Sequence, residues 1–124
     1  MKRVMDVKQS SQNVLEFGGR SVQLDKPVVQ YLIVDDKVIV LLNSDEYDKG
    51  DMLVGRNVLA YDLEGNQLWR VPDHGLRRPA NPKVPDAYFG IYLDEKGKLW
   101  GETPGVDIEI DPKTGKLLKR KRGY

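Results

Sequence analysis

Val58-Leu59-Ala60-Tyr61-Asp62-Leu63-Glu64-Gly65-Asn66-Gln67-Leu68-Trp69 decides the fold. Two runs rich in aliphatic and aromatic residues flank a short polar segment, which is the pattern of two strands joined by a tight reversal. Asp62 bonds its own turn backbone in such a loop, and Gly65 takes the positive φ that follows a type I turn. The same arrangement recurs twice. Phe89-Gly90-Ile91-Tyr92-Leu93-Asp94-Glu95-Lys96-Gly97-Lys98-Leu99-Trp100 keeps aspartate and glycine at the same separation, and Val106 to Leu118 repeats it with Asp111, Gly115 and one extra turn residue, Pro112 presetting φ.

Outward from these repeats, the first half reads the same way. Tyr31 to Val34 and Lys37 to Leu42 flank Asp35-Asp36, a pair suited to a two-residue turn because aspartate tolerates the left-handed region. Val14 to Phe17 and Ser21 to Leu24 flank Gly18-Gly19. No segment has a helical period, and prolines at 72, 79, 82, 85, 104 and 112 interrupt most windows long enough for one, leaving at most a turn near Ser44 to Tyr47. Val38 to Leu42 is apolar on both faces and predicts a central strand covered on both sides, whereas Val106, Ile108 and Ile110 alternate with Asp107 and Glu109 as in a sheet with one wet face. The expected fold is all-β, with antiparallel hairpins forming a β-sandwich or a small open barrel of about 8–10 strands.

The 124 residues, 40% hydrophobic, suit one domain with one modest core, expected to span 1–124 with a basic C-terminal tail at about 119–124. A formal net charge of +1 excludes a global attraction to nucleic acid or membrane. With no cysteine, disulfides, thiolate metal sites and cysteine nucleophiles are impossible. The polar stretch Lys8 to Asn13 replaces the apolar region of a signal peptide, and no apolar run approaches the roughly 20 residues that span a bilayer, so a cytoplasmic protein is expected.

Catalytic signatures are missing. His74 is the only histidine, so it cannot form a two-histidine metal site and reads as structural or exposed. There is no nucleophile elbow, phosphate-binding loop or dinucleotide fingerprint. Asp35, Asp36, Asp62, Asp94 and Asp111 sit where turns want aspartate for backbone reasons. No enzyme, cofactor or metal is expected, although a carboxylate-based site in a sheet cleft stays open as an alternative.

Three segments stand out as contact surfaces. The acidic loop of 43–51 gathers Asp45, Glu46, Asp48 and Asp51, suited to a basic partner or simply to solvent; its spacing does not match a calcium loop. The connection of 71–88 carries four prolines, with Arg77 and Arg78 in its middle and Trp69 and Tyr88 at its ends. These residue types are enriched at interface hot spots, and such long loops are often binding segments, but Trp69 and Tyr88 read equally well as core. Lys113 to Tyr124 holds six basic residues and no acidic one, which suits a solvated tail that keeps an edge from aggregating, or a nucleic-acid contact lacking interleaved aromatics.

Asn57 to Trp69 resembles the hairpins of quinoprotein-type β-propeller blades, which run from a strand ending in aspartate, through glycine, to a strand ending in tryptophan. A ring needs at least about four blades of roughly 40–45 residues, so the likeness implies local shape alone, and no quinone-binding residue has a counterpart here. In size, hairpin content and lack of cysteine, the whole chain is similar to the small β proteins that bacteria encode as immunity proteins against contact-delivered or other polymorphic toxins. That resemblance implies stoichiometric inhibition of a cognate toxin by preorganised loops, with acidic side chains set against cations of the toxin site. Partners of nuclease toxins are often strongly acidic, and this chain is not, which leaves the class of toxin open.

Overall fold

The computed structural model describes residues 6–44 and 52–123. Its strands are β1 (Val7–Ser11), β2 (Val14–Phe17), β3 (Arg20–Gln23), β4 (Val28–Val34), β5 (Lys37–Leu42), β6 (Val58–Asp62), β7 (Gln67–Arg70), β8 (Arg77–Arg78), β9 (Asn81–Pro85), β10 (Gly90–Leu93), β11 (Leu99–Thr103), β12 (Val106–Ile110) and β13 (Leu117–Arg122). A 3-10 helix at Met52–Arg56 precedes β6. Every pairing is antiparallel, in sheets β1-β2-β3, β4-β5-β6-β7, β8-β9 and β10-β11-β12-β13, none closed into a barrel.

The turns form for the expected reasons. In each repeated hairpin the aspartate carboxylate accepts backbone N–H groups inside its own turn: Glu64 and Asn66 on Asp62, Lys96 and Lys98 on Asp94, Lys113 on Asp111. Gly65, Gly97 and Gly115 close these turns at φ of 86°, 78° and 79°. Asp35 takes φ 56° in the β4–β5 reversal, and Gly18-Gly19 takes positive φ in the β2–β3 one.

Three sheets stack as layers of a sandwich. Along β5, Val38, Val40 and Leu42 face one core with Leu15 and Phe17 of β2, while Ile39 and Leu41 face a second core with Ile91, Leu99, Ile108 and Ile110. A strand buried on both sides must be apolar at every position, which is why Val38 to Leu42 shows no alternation. Phe17 and Tyr61 bridge the first pair of layers, ring centroids 5.8 Å apart. The second pair is clipped at its edge by Gln30, whose amide donates to Ile91 O at 2.8 Å and accepts Ile91 N–H at 3.1 Å, as a neighbouring strand would.

Some expectations need correction. The 71–88 connection is not simply an extended loop, because β8 and β9 fold it into a small ribbon around Pro79-Ala80; with β1, β8 and β9 the strands among the described residues number thirteen, beyond the roughly 8–10 expected. The basic segment 119–122 is not a tail. It is most of β13, whose backbone pairs with β12 from Val106↔Arg122 to Ile110↔Leu117, so its cations alternate between two faces. The outer face of β12 is not wet either: Asp107 and Glu109 are 9% and 6% exposed.

Candidate functional site

Leu42 ends β5 and Tyr88-Phe89 lead into β10, and a single side chain brings the two together. Asn57, wholly buried, donates from Nδ2 to Leu42 O and to Tyr88 O, both at 2.8 Å, and accepts Tyr88 N–H on Oδ1 at 3.0 Å. Buried backbone groups outside a ladder need such partners, and the amide supplies donors and an acceptor at once. Over this tie lies a groove of about 270 Å³ lined by Val29, Leu41, Asn43, Ser44, Tyr88 and Phe89 among others. Val29 is the residue bulged out of the β4–β5 register, which turns its side chain outward. Val29 and Phe89 are 56% and 55% exposed, so the groove has apolar rims open to solvent.

The far flank of the segment 45–51 meets the proline-rich ribbon too. A Cβ on Gly55 would lie 2.7 Å from Pro85 Cβ and 3.2 Å from Asp86 O, so the 3-10 helix and β9 approach with no room for a side chain. His74 lies beside this contact, 3% exposed, its ring edge-on to Tyr88 at 5.4 Å between centroids. Nδ1 accepts Leu76 N–H at 2.9 Å, so Nε2 carries the proton and donates to Asp86 O at 2.7 Å. Arg120 of β13 donates to His74 O. The histidine is therefore structural, holding the ribbon's entry to its exit.

Burial pushes the His74 pKa below its ordinary value of 6.5, outweighing the hydrogen bond to Asp86 O and the Asp73 charge, which oppose it, while the Arg120 charge adds a lesser push in the same direction. A depressed folded pKa means that stability is full above about 6.5 and is lost as pH falls through the folded value, because only the unfolded chain takes up the proton first. Unfolding midpoints between pH 7 and pH 5 should decline for the wild type and stay flatter for His74→Gln; equal slopes would exclude His74 as the source. Asp73, held down to about 2 chiefly by its hydrogen bonds to Arg77, contributes only in a separate, more acidic window.

The residues expected at an interface separate into three groups. Asp45, Glu46, Asp48 and Asp51 lie outside the described residues. Trp69 and Tyr88 are corrected from contact residues to core, at 8% and 1% exposed. The Trp69 indole donates to Pro112 O at 2.9 Å, and the Tyr88 ring lies flat enough on β11 that a Cβ on Gly101 would stand 2.5 Å from it. Arg77 is held by Asp73 at 3.1 and 2.8 Å, whereas Arg78 is exposed. Val29, Phe89 and Asn57 belong to no motif in the sequence that points to a site. Period-two alternation beside buried Val28 and Tyr88 is the signal that marks Val29 and Phe89 as outward-facing, but nothing local marks Asn57.

Among the described residues no cluster of three histidine, aspartate or glutamate side chains is placed to hold a metal ion, and no helix is long and apolar enough to cross a membrane. The architecture defines an all-β protein of stacked antiparallel sheets, with an apolar-rimmed groove where two irregular segments meet. The chain belongs to the family described as a domain of unknown function (DUF7957), whose model matches residues 5–122. No curated protein and no solved structure matches it.

Proposed function

We propose that this chain is a non-catalytic protein-binding module, an inhibitor of the immunity kind that docks a cognate bacterial toxin in the cytoplasm at the groove between Val29 and Phe89. The observation that supports this reading is that both flanks of the acidic segment abut the proline-rich one. Asn43 and Ser44 share a groove with Tyr88 and Phe89, and Gly55 packs on Pro85 and Asp86. Acidic side chains from 45–51 would then steer a cationic surface towards two exposed apolar anchors held by a rigid sheet. Preorganisation of that kind lowers the entropic cost of association.

The test is co-expression with the product of the adjacent gene, followed by size-exclusion chromatography and calorimetry. A 1:1 complex is expected, with toxin activity blocked, and Val29→Asp and Phe89→Asp should each weaken binding by about 2 kcal/mol or more, the range of an interface hot spot. Both positions are exposed, so the variants should fold normally. A complex whose affinity is the same with both substitutions, or turnover of a substrate by the purified chain, would overturn the reading.

A further inference from the structure

β13 is the outer strand of the sheet β10-β11-β12-β13, and Leu118 to Arg122 are exposed along its whole length. Gly123 N–H donates to Gly105 O at 3.1 Å, which makes these residues a hydrogen-bonded pair. Such pairs alternate along an antiparallel ladder. The backbones of Lys119 and Lys121 therefore face Glu109 and Asp107 of β12, while Arg120 and Arg122, opposite Ile108 and Val106, turn their N–H and C=O groups away from the sheet. No described residue bonds those outward groups. The side chains from Lys119 to Arg122 are all cationic. On the outer face Asp107 and Glu109 stand beside Lys121 and Lys119 and offset part of their charge. On the other face Arg120 and Arg122 have only Ile108 and Val106 beside them across the strand, and none of the ion pairs among the described residues involves either arginine. Arg120 donates to a neutral group, His74 O, which holds its guanidinium in place without cancelling its charge.

An open row of backbone donors and acceptors is a template for another strand. The cations along this one exclude a second copy of β13, because antiparallel pairing of two such strands sets like charges opposite one another. We propose that β13 accepts an extended acidic segment of a partner protein as an added outer strand, with carboxylates at two alternate positions opposite Arg120 and Arg122. Backbone pairing supplies the attraction, and the alternate side chains supply the selectivity. In antiparallel register the next position on that side of the incoming strand falls opposite Leu118, the residue bulged out between Leu117 and Lys119 and 51% exposed. There a hollow of about 210 Å³, lined by Ile108, Leu117, Leu118, Lys119 and Arg120, has room for one apolar side chain. The preferred segment therefore reads acid, any, acid, any, apolar. It joins the sheet at the edge opposite β10 and stands independently of the groove between Val29 and Phe89.

The probe is the peptide acetyl-Thr-Glu-Val-Glu-Thr-Leu-Thr-amide, titrated into the full chain while backbone amides are followed by NMR. A saturable shift with a dissociation constant of about 1 mM or tighter is expected, with the Arg120 and Arg122 N–H groups gaining protection from exchange. N-methylation of either glutamate, whose N–H faces β13 in the added strand, should abolish binding, whereas N-methylation of the intervening valine, whose N–H points away, should leave it within about twofold. The isomer acetyl-Thr-Glu-Glu-Val-Thr-Leu-Thr-amide carries the same charge but divides it between two faces, and should bind at least about fivefold more weakly. Arg122→Glu, at an exposed position near the end of the strand, should weaken binding at least about tenfold, and Lys96→Gln in the β10–β11 turn should leave it unchanged. The proposal is overturned if the probe gives no saturable shift, if the two kinds of N-methylation act alike, if the isomer binds as well as the probe, or if Arg122→Glu binds no more weakly than Lys96→Gln. It is overturned equally if the Arg120 and Arg122 amides are protected in a concentration-dependent dimer of the chain alone, which would make a second copy the occupant.

Discussion

Asn57→Ala is expected to destabilise the protein by about 3–5 kcal/mol, because three buried backbone groups lose their partners together and each such loss costs roughly 1–3 kcal/mol. The amide joins Leu42 O, Tyr88 O and Tyr88 N–H in a place no water reaches, and alanine replaces none of these bonds. Against a typical total of about 5–15 kcal/mol for a domain, that is a large share. Urea unfolding of the variant measures it, and a loss under about 1 kcal/mol would mean that the segment rearranges to satisfy itself. Amide exchange supplies a second readout. Tyr88 N–H should lose protection first, since its bond to Asn57 crosses from one layer to another rather than along a ladder. The groove stands on this tie, so binding of the partner proposed above should weaken in parallel with the loss of stability.

Gly115→Ala carries the second large effect, and Gly97→Ala is its internal control. Both glycines close equivalent hairpin turns, at φ of 79° and 78°, so an added Cβ meets the same left-handed strain of roughly 1–2 kcal/mol in each. Their surroundings differ. A Cβ at Gly97 meets nothing within 4 Å, whereas one at Gly115 would stand 2.7 Å from the Trp69 ring. That indole is pinned by its hydrogen bond to Pro112 O, in the same turn as Gly115. Relieving the clash means moving a buried ring, breaking its bond and parting β7 from the β12–β13 turn, an overpacking cost of about 1–3 kcal/mol beyond the strain. The two variants should therefore differ by that amount in unfolding free energy. Equal losses would show that the turn yields and that Trp69 does not fix the outer edge of the two layers.

Trp69 and Trp100 show how far local reading reaches. Each follows an Asp–Gly turn at nearly the same spacing, and each donates its indole N–H, but Trp100 donates within its own hairpin to Asp94 and Trp69 donates to the next sheet. The turn chemistry is the same in both, and only the neighbouring layer distinguishes them. The candidate site divides along the same line. Carboxylates that fill turn positions were recognisable from their spacing, because an aspartate bonds N–H groups two and four residues further on. Asn57 and Gln30, which join separate layers over 31 and 61 residues, were invisible for the converse reason.

From the chain alone came the all-β class, the five reversals and the double-sided burial of β5, since each rests on backbone preferences and side-chain periodicity acting over a few residues. Tertiary structure decided the stacking order of the three sheets, the incorporation of 117–122 as an edge strand, and the meeting of Asn43 and Ser44 with Tyr88 and Phe89 at one groove. Those outcomes depend on which apolar faces find each other and on single amides that bridge distant carbonyls, and no short window of residues carries that information.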